Sequence, residues 1–252
     1  MWKTFAISGS VVLGLIAIGC GGGGGTSTTG GALSCGPSFM LPNYASVNDP
    51  GDGEPNLLLK WPNFPLRVYY PNEEVRTYGG TIYRSNDLAD VALNRWKTAS
   101  NNEATFTQGL GPLDADITLT MNTIGSQPGA GGTLGSTQIT YYPSSGTIAS
   151  AEITINVWPT MTEAQFTQGM VRTMNHEFGH ALFMQGHSDE VSDVMYYLAN
   201  PNVDLALTTR DINTFLTAYC GEFSTRGVTS HLPGEKPVTI TIECKVGDGH
   251  TH

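Results

Sequence analysis

Residues 176–187 read His-Glu-Phe-Gly-His-Ala-Leu-Phe-Met-Gln-Gly-His, and they fall in the strongest predicted helix of the chain. Two residues four positions apart on a helix lie about 40° apart around its axis and one turn apart along it. The imidazoles of His176 and His180 can therefore reach one metal ion. Gly186 allows the chain to turn back sharply at the end of the helix, which brings the imidazole of His187 to the same ion.

The boundaries of this helix are also predicted from the sequence. Thr160 and Glu163 are spaced as a capping box, in which a hydroxyl and a carboxylate each accept a hydrogen bond from a free backbone amide. The helix is expected to run from there to about Gln185 and to stop at Gly186.

Glu177 follows the first histidine and projects toward the same space, where it can take a proton from a metal-bound water. Imidazole nitrogen is a ligand type that zinc favours, and zinc needs no redox partner. Three protein ligands leave a fourth position open, which is typical of a catalytic rather than a structural zinc site. The pattern therefore predicts one catalytic zinc ion, with Glu177 as the general base. The histidines could instead be satisfied core residues.

Strands and helices alternate along the rest of the chain and predict an α+β fold. The last helix opens with Thr208-Thr209-Arg210-Asp211. The predicted elements are a strand at 66–70, a helix at 86–100, strands at 115–120, 133–142 and 151–157, a helix at 208–219 and a strand-like stretch at 238–243.

The motif resembles that of the metzincin metalloproteases, and within them the matrixins and their bacterial relatives. The family pattern is H-E-x-x-H-x-x-G-x-x-H, followed by a serine and then by a methionine turn. His176, His180 and His187 match the three ligands, and Glu177 matches the base. Ser188 and Met195 match the serine and the turn methionine. This chain departs from the pattern by one extra residue between the last two histidines and by Tyr197 where matrixins usually carry proline.

The resemblance implies a twisted mixed sheet with an active-site helix and a C-terminal helix. It also implies an endopeptidase whose methionine, Met195, forms an apolar floor beneath the metal. The strand at 132–141 would be the antiparallel edge of the sheet, and a polypeptide substrate would add to it as a further strand. The strand at 151–156 would then lie inside the sheet.

The N-terminus indicates export. A short positive start precedes an apolar run that is too short for a confident membrane span, and the run ends in Ala17-Ile18-Gly19-Cys20. This ending resembles a bacterial lipobox, in which Cys20 is acylated and anchors the protein to the cell envelope, at the outer membrane in a Gram-negative cell. An ordinary cleaved signal or a plain anchor are the alternatives. The predicted organisation is a signal at 1–19, a glycine-rich tether and lead-in at 20–57, a catalytic domain at 58–222 and a tail at 223–252.

Three cysteines remain if Cys20 carries lipid, and in an oxidising compartment we expect one disulfide and one free thiol. A Cys220–Cys244 bond is slightly favoured because it would attach the tail to the domain. Cys35 stands in Cys35-Gly36-Pro37, which is similar to the matrixin cysteine switch in a different residue order. The favoured roles for Cys35 are a disulfide partner or an idle thiol, and a zinc-capping switch is the alternative.

Composition limits the possible partners and cofactors. The chain of 252 residues has a formal charge of -10, and no run of lysine or arginine interrupts it, so nucleic acid is a poor partner. The Asn- and Asp-rich turn at 48–54 could bind calcium, although such clusters are mostly turns. We expect a monomer. Two other functions stay open: a non-catalytic surface lipoprotein on a metalloprotease scaffold, and a zinc hydrolase of a non-peptide amide.

Overall fold

The computed structural model describes residues 35–48, 56–223 and 231–247. Over these residues the chain forms an α+β fold, which confirms the predicted class. The helices are α1 (Ser85–Ala99), α2 (Met170–Phe183) and α3 (Thr209–Ala218). The strands are β1 (Leu57–Leu58), β2 (Leu66–Tyr69), β3 (Val75–Tyr78), β4 (Thr81–Arg84), β5 (Phe106–Gln108), β6 (Ile117–Thr123), β7 (Thr133–Tyr142), β8 (Thr147–Val157), β9 (Met184–Gln185), β10 (Leu198–Ala199) and β11 (Val238–Val246).

Seven strands form one mixed sheet in the order β10-β11-β7-β8-β6-β2-β5. The pairs β2–β5, β2–β6, β6–β8 and β10–β11 are parallel, whereas β7 runs antiparallel to both of its neighbours. Alternate residues of β6, β7 and β8 are buried, as expected for strands that bury one face against a core. The strand β8 lies inside the sheet, as predicted.

The helix α2 passes through the centre of the domain, and every one of its residues is buried. It contacts α1, α3, β7 and β8. Two indole nitrogens donate hydrogen bonds to its carbonyl oxygens: Trp96 Nε1 to Asn175 at 3.0 Å and Trp61 Nε1 to Ala181 at 2.8 Å. These contacts hold the helix that carries the motif in one position in the core.

The predicted start and end of this helix are each displaced by a few residues. Reciprocal capping joins Thr162 and Gln165, whose side chains each accept a hydrogen bond from the other's backbone amide. The expected box of Thr160 and Glu163 is therefore wrong. A π-helical turn, Gln165–Gly169, precedes α2, and α2 ends at Phe183 because the next two residues pair with β1 as β9.

The predicted disulfide is also wrong. Cys35 is bonded to Cys220, whereas Cys244 is a buried free thiol. The lead-in lies along α3, where the amide of Met40 donates to Thr217 Oγ1 at 3.1 Å, and this brings Cys35 to the end of that helix. Cys244 belongs to β11 and points into the interior of the domain. Because Cys35 is a disulfide partner, it is not the zinc-capping thiol that was the alternative.

The other predicted elements are found close to their expected positions. The last helix has Thr208 as its N-cap, with a capping box between Thr208 and Asp211. Among the residues described, no helix combines the length and the apolar character needed to cross a membrane.

Candidate metal centre

The three predicted ligand histidines come together. His176 and His180 lie on consecutive turns of α2, and His187 follows a turn at Gly186, whose φ of 94° favours glycine. The ring centroids of the three imidazoles are separated by 4.7, 4.9 and 5.3 Å. One nitrogen from each ring lies within 4.8 Å of the others, so the group can hold a metal ion.

Backbone carbonyls orient two of these rings. His176 Nδ1 lies 2.8 Å from the carbonyl oxygen of Val194, and His180 Nδ1 lies 3.0 Å from that of Met184. A carbonyl oxygen can only accept, so each Nδ1 carries the proton and each neutral ring keeps a lone pair on Nε2. Ligand histidines in metal sites are commonly held in this way.

The two Nε2 atoms lie 3.0 Å apart. Two lone pairs at this separation repel each other unless a cation or a proton lies between them. Burial, followed by the neighbouring His180 and His187, lowers the pKa of His176 well below its ordinary value and disfavours the proton. A metal ion therefore suits this pair, and ligand nitrogens in a tetrahedral zinc site lie about 3.3 Å apart.

Glu177 is fully buried beside the three histidines. Its Oε2 accepts a hydrogen bond from the Thr137 hydroxyl of β7 at 2.6 Å. Burial raises the pKa of Glu177 to about 8, although the Thr137 hydrogen bond acts in the opposite direction. Gly135, also on β7, leaves room for this carboxylate: a Cβ atom there would lie 2.7 Å from Glu177 Oε1.

Met195 packs against the helix α2. It is fully buried, and it packs against Gly179, the glycine between the two ligand histidines of α2. A Cβ atom at Gly179 would lie 2.9 Å from Met195 Cε and closer still to its sulfur. Gly179 therefore permits a close approach that the sequence did not reveal.

A buried carboxylate fixes the turn around Met195. Asp211 accepts hydrogen bonds from the backbone amides of Val194 at 3.0 Å and Met195 at 3.3 Å, and from the Tyr44 hydroxyl at 2.9 Å. The Val194 carbonyl in turn orients His176. Asp211 thus supports the candidate metal site. The sequence analysis missed this role, although the capping pattern at Thr208 was a visible signal.

Two further polar residues hold the loop that carries His187, the third candidate ligand. Ser188 donates a hydrogen bond to Asp193 through its hydroxyl, and its backbone amide donates to the Met195 carbonyl at 2.8 Å. Asn56, from the lead-in, donates from Nδ2 to the carbonyl of His187 at 2.9 Å. The role of Asn56 was also missed, because nothing in its local sequence indicates a partner so far along the chain.

The strand above the site differs from the prediction. The strand β7 was expected to be a free edge, but β11 pairs with it antiparallel over Val238–Lys245. Cys244 lies opposite Gly135 in this pairing and brings its thiol to the site. His176, Glu177 and Cys244 form a second group of potential metal ligands, whose ligand atoms lie within 4.8 Å of one another. Burial raises the pKa of the Cys244 thiol above its usual range.

Cys20 with its lipid anchor and residues 49–54 of the possible calcium segment lie outside the described residues. In comparisons with known proteins, no protein-family model and no curated protein matches the chain. The fold and the three-histidine group are compatible with a metzincin-like site that could hold a metal ion.

Proposed function

We propose that this protein is a zinc-dependent endopeptidase of the metzincin type. The observation that carries the proposal is the convergence of His176, His180 and His187, with two protonated Nδ1 atoms held by carbonyl groups and two Nε2 lone pairs 3.0 Å apart. Glu177 lies next to this group on the same helix and is fully buried. When bound, zinc supplies a Lewis acid that polarises a carbonyl and acidifies water.

The chain's own residues supply the proton transfers. Glu177 accepts the proton of the attacking water and then delivers it to the leaving amine, so it acts first as base and then as acid. The Thr137 hydroxyl holds Oε2 in place during both transfers.

The substrate class is a polypeptide in extended form. Gly135 and Thr137 of the strand β7 lie beside Glu177. The strand β11 pairs with β7 there as an extended antiparallel strand. A substrate strand could use the same main-chain hydrogen bonds, which suits a peptide better than a cell-wall amide. We also propose export and lipid anchoring at Cys20, on the sequence alone.

Paired zinc and turnover assays test the function. We expect about one zinc per chain in the parent, because three imidazoles suit one tetrahedral ion. Glu177→Gln should keep the zinc and lose about 10²–10⁴-fold in peptide cleavage, which is the usual contribution of general acid–base catalysis. His180→Ala should lose both zinc and cleavage.

Met195→Leu is the matched control, since it changes an apolar residue beneath the site without removing a ligand or a base. It should keep the zinc and some activity, at a cost of under about 1.5 kcal/mol in stability. Glu177→Gln protein that cleaves peptides as fast as the parent would rule out the proposed mechanism. Zinc-loaded protein that cleaves no peptide, even after the strand β11 is opened by substitution, would favour the non-catalytic scaffold.

A further inference from the structure

The strand β11 occupies the place at which a substrate would bind. It pairs with β7 on one side and with β10 on the other, and β10 follows the turn at Met195. The pairing with β7 is antiparallel, the direction proposed above for a substrate strand. Backbone amides of Lys245 and Gly247 also donate to the carbonyls of Tyr197 and Ala199, at 3.4 and 3.0 Å.

The inward face of β11 fills the site. Ile242, Cys244 and Val246 are buried, whereas the alternating residues Thr241, Glu243 and Lys245 are exposed. The Cys244 sulfur lies within 4.8 Å of a His176 ring nitrogen and a Glu177 carboxylate oxygen. The side chain of Cys244 thus occupies space beside the proposed base and one of the three candidate ligands.

Catalysis and this arrangement are mutually exclusive. A general base must come within about 2.6–3.2 Å of the proton that it abstracts. With β11 in place, Glu177 and His180 have no exposed surface and His176 has 1%. While β11 pairs with β7, a peptide cannot add to the same edge of β7 beside Glu177.

We propose that residues 238–246 are a built-in occupant of the substrate cleft, which keeps the enzyme latent until this strand leaves β7. The proposal rests on the proposed function, because latency has meaning only for a peptidase. The ladder itself has a weak point beside the site: the β11–β7 register shifts between Cys244 and Lys245, next to the catalytic carboxylate. The outward face of β11 is polar, and its inward face is apolar. Departure of the strand would therefore uncover the apolar surface of the cleft that the inward face now covers.

A reversible lock tests whether the strand must move. Gln138 of β7 and Thr241 of β11 are exposed cross-strand partners, so the double variant Gln138→Cys/Thr241→Cys can form a disulfide that fixes β11 in place. The matched control is Gln138→Cys/Glu152→Cys, which joins β7 to β8, two strands that need not separate. Oxidation should lower peptide cleavage at least tenfold in the first variant, mild reduction should restore it, and the control should not respond.

A second pair of variants opens the strand instead. Ile242→Asp places a charge on the buried face of β11, whereas Thr241→Asp places the same charge on its exposed face. We expect cleavage to rise at least tenfold in Ile242→Asp and to stay unchanged in Thr241→Asp, with circular dichroism showing that both are folded. Equal cleavage by the oxidised lock and its control, or no gain in Ile242→Asp, would overturn the proposal while leaving the peptidase function intact.

Alkylation of Cys244 gives a readout that does not depend on activity. The thiol is buried while β11 is paired with β7. Iodoacetamide should therefore modify Cys244 faster in Ile242→Asp than in Thr241→Asp. It should modify Cys244 more slowly in the oxidised Gln138→Cys/Thr241→Cys variant than in the reduced form of that variant. If all forms bind zinc and cleave nothing, the proposed function fails, and the alkylation rates still decide whether the strand opens. Rates that are identical across the four forms would refute the opening of β11.

Discussion

Replacement of Gly179 by alanine tests the packing that supports the candidate metal site. The new Cβ atom would lie 2.9 Å from Met195 Cε and 3.2 Å from Trp96 Cζ2, whereas carbon atoms normally meet at about 3.5–4.0 Å. Met195 is fully buried, and Asp211 holds its backbone amide, so it cannot easily withdraw. Overpacking of this kind typically costs about 1–3 kcal/mol.

The helix itself favours the substitution, since alanine is better than glycine in a helix interior by about 1 kcal/mol. If the overpacking costs about 3 kcal/mol and the helix propensity returns about 1 kcal/mol, the free energy of unfolding should fall by about 2 kcal/mol. Urea denaturation measures it. Gly125→Ala is the control, because a Cβ atom there meets nothing within 4 Å and should change stability by less than about 0.5 kcal/mol.

A double-mutant cycle identifies the cause. In a Met195→Ala background the clash with Met195 is removed and only the contact with Trp96 Cζ2 remains, so Gly179→Ala should become close to neutral, with a coupling of about 2 kcal/mol. If Gly179→Ala is instead as stable as the parent in the original background, Met195 does not pack against α2 as closely as described. The assignment of Met195 as an apolar residue beneath the metal would then be wrong.

Two more substitutions test the supports of the site. Asp211→Asn puts an amide where a carboxylate accepts hydrogen bonds from the backbone amides of Val194 and Met195. It should lower the free energy of unfolding by about 2–4 kcal/mol. It should also lower the zinc affinity about 10–100-fold, as measured by competition with a chelator. Asp90→Asn, whose carboxylate accepts a hydrogen bond from an exposed Tyr70 hydroxyl, should leave zinc affinity unchanged, and an equal loss in both variants would contradict the role given to Asp211. Cys35→Ser should cost about 2–4 kcal/mol, since the bond to Cys220 closes a loop with a sequence separation of 185 residues. A non-reducing peptide map should join Cys35 to Cys220 and leave Cys244 free, and a Cys220–Cys244 peptide would contradict the structure.

The elements that local sequence specifies were the ones that could be predicted. The histidine spacing and Gly186 predict the geometry of the three ligands because a helix and a turn are short-range structures. The strand β7 has the predicted bounds, and α3 begins one residue after its predicted start at Thr208. In each case the signal lies within a few residues of the structure that it predicts.

The relations that depend on distant residues could not be predicted. The alternation from Val238 to Val246 indicates a strand, but nothing in it shows that Ile240 pairs with Ile139, about a hundred residues away. Disulfide connectivity is equally non-local, and it was assigned to the wrong pair. Asp211 and Gly179 act through contacts that only the folded chain creates.

The central claim is that three imidazoles hold a catalytic zinc ion. Its most direct test is anomalous diffraction at the zinc absorption edge from crystals of the zinc-loaded protein. We predict one strong peak at about 2.0–2.1 Å from a nitrogen of each of His176, His180 and His187. A zinc peak elsewhere in the molecule, with none among these three rings, would contradict the claim.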